Sequence, residues 1–114
     1  MSSPSAQVAT ATSSNTTRTV TVTATDQGAI TELRIDDAVY GRGAGHLAAE
    51  ILRLTHRSTL LARARRREIL AAAGLAPVLL DRLGLPDPDA VAGELAHLDA
   101  PAADTAAHGW VRAL

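Results

Sequence analysis

Six arginines fall within residues 51–70: Arg53, Arg57, Arg63, Arg65, Arg66 and Arg67, against the single acid Glu68. On a helix, Arg53 and Arg57 share one face, as do Arg63 and Arg67, with Arg66 beside them. A guanidinium stripe of this kind neutralises backbone phosphates. Arg53, Arg57, Arg63, Arg66 and Arg67 are therefore the candidate contacts to double-stranded DNA or another anion. The competing account is a solvated helix face that keeps an Ala-rich bundle soluble and pairs with the acidic C-terminal part. No aromatic side chains interleave with the arginines, which argues against single-strand stacking.

Other polar groups offer less. Gly41, Gly43 and Gly45 precede a helical stretch, where exposed amides and the helix dipole favour an anion. Their spacing is not that of a dinucleotide loop, and no Lys-Ser/Thr pair follows. A plain flexible connection is the better reading. His46, His56, His97 and His108 include no i, i+4 pair and have no cysteine neighbour, so no metal site is signalled. Ser58 lies two residues from His56, which on a helix turns the two side chains to different faces. The reading is non-catalytic, with no cofactor and no metal.

Composition narrows the class. The chain has 114 residues and a formal net charge of −1, with no Cys, no Phe, one Trp and one Tyr. One domain with a modest aliphatic core follows, and disulfide chemistry is excluded. All eleven basic residues are Arg, which reads as coding bias of a GC-rich genome. The neutral total hides a basic middle between acidic flanks. No basic-then-apolar leader opens the chain, and no stretch reaches the roughly 18 apolar residues of a membrane span. The expectation is a cytoplasmic protein.

The elements that would carry these residues are an α+β set. Residues 1–17 are rich in Ser and Thr and read as a disordered arm, with a weak strand signal at Gln7–Thr12. Residues 18–25 alternate strictly, Val20, Val22 and Ala24 against threonines, and Asp26-Gln27-Gly28 turns the chain into a second strand over 29–36. In that strand Thr31, Leu33 and Ile35 share a side. A long helix should run from about His46 to Ala73, roughly 42 Å. Leu47, Ile51, Leu54, Ser58 and Leu61 recur at steps of four and three, the seam of a helix packing along another. Gly74 and Pro77 end the helix, a short one follows at 77–83, and Asp87 caps a third with Pro88 first. The domain is read as 18–100. Residues 101–114 read as a mobile tail with Trp110 as a docking point.

The pattern T-V-T-V-x-A-x-x-x-G-x-I-T-x-L-R-I-D, followed by L-A-x-E-I-L, resembles the YbaB/EbfC family across about residues 18–70. That resemblance implies a small homodimeric, nucleoid-associated protein whose sheet pairs across the dimer. The family's leading helix is replaced here by the Ser/Thr-rich arm. The fuller layout is similar to EspD-type accessory proteins of actinobacterial type VII secretion, on Arg18 to Val20, Ala48 to Leu52 and Gly84 to Pro86. Export signatures of that pathway are absent: Gly109 precedes Trp110, and Ala44 stands where Tyr40 would need an acid after it. The expectation is a homodimeric, chaperone-like accessory protein, its dimer seam Leu47, Ile51, Leu54 and Leu61. Nucleoid-associated DNA binding is the alternative.

Overall fold

The computed structural model describes residues 9–100. Three antiparallel strands form one sheet in the order β1-β2-β3: β1 (Thr10–Ser14), β2 (Val20–Thr25) and β3 (Ile30–Ile35). A 3₁₀ helix (Asp37–Arg42) leads into α1 (Ala44–Ala72), followed by α2 (Pro77–Arg82) and α3 (Pro88–Asp99). The α+β class and the order of the hairpin and helices agree with the sequence reading.

The arm is where reading and structure part. Residues 10–14 of the arm, where the sequence carries only a weak strand signal over Gln7–Thr12, form the edge strand β1. Ala11 faces Ala24 and Ser13 faces Val22 across the ladder, so β1 has a period of two built from small side chains. Ala9, Ala11, Ser13 and Asn15 are buried while Thr12 and Ser14 are exposed. Strand alternation was present in the sequence, but the inward side chains were too small to register as apolar. Residues 1–8, and the expected tail with Trp110 and His108, lie outside the described residues.

Asn15 explains how the chain turns between β1 and β2. Its Oδ1 accepts from the backbone N–H groups of Thr19 and Val20, at 2.8 and 3.2 Å. Its Nδ2 donates to Thr19 Oγ1 at 2.8 Å. Arg18 takes a positive φ of 59° to close this turn. The β2–β3 turn is organised by Thr25, whose Oγ1 accepts from Gln27 and Ala29, with Gly28 at φ +86°.

On the sheet, α1 packs over β1 and β2. Leu54 is fully buried against Val20, Val22 and Val39, with Leu47, Ile51 and Ile35 around them. Ser58 and Ala62 continue the buried line, facing the small side chains of β1 and β2. Small groups on both surfaces let the helix lie close to the strands, and Ser58 Oγ donates to the Val22 carbonyl at 2.9 Å. The expected helix–helix seam is thus covered within the chain: Leu47, Ile51 and Leu54 meet the sheet. Leu61 borders a cleft that also includes Ala11, Thr12 and Leu95.

The glycine stretch is not a flexible loop. Asp36 caps the 3₁₀ helix by accepting from Ala38, and Val39 anchors that helix in the core. Gly41 lies inside the 3₁₀ helix and Gly45 inside α1, and of the three only Gly43 has a positive φ. The three amides therefore do not form one concave anion nest.

Candidate functional site

Two surfaces remain as candidates: the arginine-bearing flanks of α1 and the outer part of β3.

The arginines are drawn into the fold. Arg53 Nε pairs with Glu50 at 3.1 Å, and Arg53 Nη1 reaches Asp99 at 3.3 Å. Arg57 Nε meets the same Asp99 carboxylate at 3.0 Å, and its Nη1 donates to Ser13 Oγ at 3.3 Å. These two residues tie the C-terminal end of α3 to α1 and to the edge of the sheet. Arg63 donates to the Gly84 carbonyl. Arg67 pairs with Asp81 at 2.8 Å and donates to the Leu85 carbonyl at 2.7 Å, which holds α2 and the loop after it. Arg65 donates to the Thr10 carbonyl at 2.6 Å on β1. Arg66 meets Asp26 of the β2–β3 turn at 3.3 Å.

The five proposed DNA contacts thus do not share one open stripe. They leave α1 in different directions, toward α3, toward the loop after α2 and toward the turn of the sheet. The alternative reading of the basic stretch, pairing with the acidic C-terminal part, describes Arg53, Arg57 and Arg67, whereas Arg66 pairs with Asp26 of the N-terminal hairpin. The sequence signal for these pairings was the charge layout itself, a basic middle between acidic flanks. Which arginines Asp81 and Asp99 meet depends on the chain reversals at Gly74 and Gly84, and Arg66 finds Asp26 through the packing of α1 on the sheet.

His46, His56 and His97 line a cleft of about 910 Å³ between α1 and the end of α3, together with Glu50, Arg53 and Asp99. Among the described residues no three His, Asp or Glu side chains are grouped so that they could hold a metal ion. Ser58 is engaged with the Val22 carbonyl inside the core, so it is not available as a nucleophile.

The outer part of β3 is different. Every residue of β3 except Ile35 is exposed, although Ile30 and Leu33 are large and apolar. Leu33 faces Val22, and Ile30 faces Ala24 because a bulge between Thr23 and Ala24 shifts the register. Both side chains therefore emerge on the helix-bearing side of the sheet, beyond the area that α1 covers. On the opposite face the sheet is hydroxyl-rich, with Thr12 to Thr23 at 2.7 Å and Ser14 to Thr21 at 2.8 Å. Glu32 and Arg34 lie on that polar face and pair with each other at 3.0 Å. The sequence placed Thr31, Leu33 and Ile35 together but missed Ile30, because a bulge leaves no mark in a period-two pattern. A second exposed apolar group, Val78, Leu79 and Leu83, belongs to α2 and the residue after it.

No protein-family model, curated protein or solved structure matches this chain. No described helix is long and apolar enough to cross a membrane.

Proposed function

We propose that this chain is a non-catalytic homodimeric accessory protein, a chaperone-like adaptor associated with type VII secretion. One observation carries the interaction part: β3 is an edge strand that exposes Ile30 and Leu33. Exposed apolar side chains on an unpaired edge mark a surface that gains by being covered. The secretion context rests on the motif resemblance of Arg18 to Val20, Ala48 to Leu52 and Gly84 to Pro86. Sedimentation at micromolar concentration should give twice the monomer mass. Deleting the gene in its host should reduce export of a type VII substrate, with growth unchanged. A monomer overturns the homodimer, and undiminished export overturns the secretion role.

The nucleoid-associated alternative draws on the arginines. It receives less support, since Arg53, Arg57, Arg63 and Arg67 all have partners within the chain.

A further inference from the structure

We propose that the outer edge of β1 and the flank of α3 form a groove that takes an extended segment of a partner protein as a fourth strand, antiparallel to β1. The segment alternates aliphatic and polar side chains and carries a carboxylate where it passes Arg65. This names the client-binding surface of the adaptor, and it rests on that reading only for who the client is.

The backbone defines the edge. The Asn15 N–H donates to the Val20 carbonyl at 3.1 Å, and the Asp26 N–H to the Ala9 carbonyl at 3.0 Å. Antiparallel ladders alternate, so Ala11 with Ala24 and Ser13 with Val22 are hydrogen-bonded pairs as well. The backbone groups of Thr10, Thr12 and Ser14 consequently point away from β2. Arg65 agrees with that direction, since its Nη1 reaches the Thr10 carbonyl from α1 at 2.6 Å. Among the described residues, nothing bonds the backbone amides and carbonyls of Thr12 and Ser14. They are free to pair with an added strand.

The side chains beside that edge select what pairs there. A cleft of about 620 Å³ lies between β1 and α3 along α1, with Ala11, Leu61, Val91 and Leu95 in its walls. In an added strand, residues opposite Thr12 and Ser14 turn their side chains to the hydroxyl-rich face of the sheet. Residues opposite Ala11 and Ser13 turn theirs to the helix-bearing face, into the cleft. Ala11 and Ser13 are small and leave room for aliphatic groups at those alternate positions. Arg65 is exposed at the Thr10 end and has no carboxylate partner among the described residues, unlike Arg53, Arg57, Arg66 and Arg67. Glu68 stands on the same wall of the cleft but forms no ion pair with it. A carboxylate on the incoming segment supplies the missing charge.

Other occupants fit less well. A wholly apolar molecule in the cleft would strip water from the Thr12 amide and carbonyl and give them no partner, a cost that a peptide backbone avoids. A second copy would bring its own α1, a helix about 10 Å across, over its own β1 and into the space that α3 already fills. A bare extended segment carries no such layer.

The test titrates the full chain with the acetylated, amidated probe peptide S-V-T-L-E-D, followed by amide NMR. Saturable binding is expected, with the largest shifts at Thr12 and Ser14. Methylating the third backbone nitrogen of the probe, which faces Thr12, should weaken binding roughly tenfold. Methylating the fourth, which faces away from β1, should leave it unchanged. Thr12→Pro removes an N–H that β2 does not use and should weaken binding as the first methylation does, whereas Thr12→Val should bind normally. Should Thr12→Pro fail to fold, the two methylated probes decide. Arg65→Glu should weaken the probe and spare its uncharged analogue S-V-T-L-Q-N. Equal binding of both methylated probes, or shifts confined to β3, overturns the proposal, as does a cleft that binds decanoate but no peptide. If the probe is not bound yet gene deletion reduces export, this site falls and the adaptor role stands. A bound probe with undiminished export removes the secretion role and leaves the site.

Discussion

Asp26 carries the least satisfied polar atom among the described residues. Its side chain is 7% exposed, Oδ1 has no hydrogen bond there, and Oδ2 meets Arg66 at 3.3 Å. A carboxylate so far from water depends on its cation, so the loss of one partner costs more than the loss of both. Arg66→Met should lower stability by about 1–3 kcal/mol. Adding Asp26→Asn should recover part of that loss, and urea unfolding of each single variant and of the double variant measures the coupling. A loss in the double variant equal to the sum of the two single losses would show that the pair contributes nothing. Leu54 acts through shape instead. It is fully buried in the monomer core, so a charge there strikes the fold before any interface.

Among the elements, α3 is the most weakly held. It contains no buried residue and meets α1 through the half-buried Val91, Leu95 and Leu98 and the Asp99 pairs with Arg53 and Arg57. Partly exposed ion pairs contribute little each, so α3 should open while the sheet and α1 remain folded. Hydrogen exchange should therefore protect β2 and the middle of α1 longest and α3 least. The N-cap of α3 is Asp87, which accepts from Ala90 at 2.8 Å. Asp87→Ala should destabilise this helix by about 0.5–2 kcal/mol. The measurable result is faster exchange confined to α3, and unchanged exchange would mean that the cap is immaterial.

At the level of the whole chain, the basic and acidic segments neutralise one another through folding. DNA would have to compete with Asp26, Asp81 and Asp99 for the arginines. The expected outcome is no gel retardation at low salt with micromolar protein. Were retardation seen, a phosphate-contact mode would show affinity falling by about 0.9 log units per log unit of salt for each phosphate. Arg63→Ala/Arg67→Ala would then flatten that slope. Such a result would restore the nucleoid-associated reading and place it above the adaptor.

The β2–β3 hairpin, the long helix, its stop at Gly74 and the Asp87-Pro88 start were legible because each has a local cause. Alternation, helical spacing, a positive-φ glycine and a capping carboxylate act within a few residues of one another. The strand β1 and the fate of the α1 seam were decided elsewhere. Ala11 and Ser13 count as core only because α1 presents Ser58 and Ala62 to that side of the sheet. Likewise the Leu47–Ile51–Leu54 seam has the same spacing whether it meets a helix or a sheet, and Val20, Val22 and Val39 settle which. The arginines followed the same rule, since helical spacing says which ones share a face. Only the reversals that bring Asp26, Asp81 and Asp99 back to α1 say what each one meets. Local patterns determine elements, because their energies depend on near neighbours; partners are set by contacts between residues distant in the chain, on which those patterns are silent.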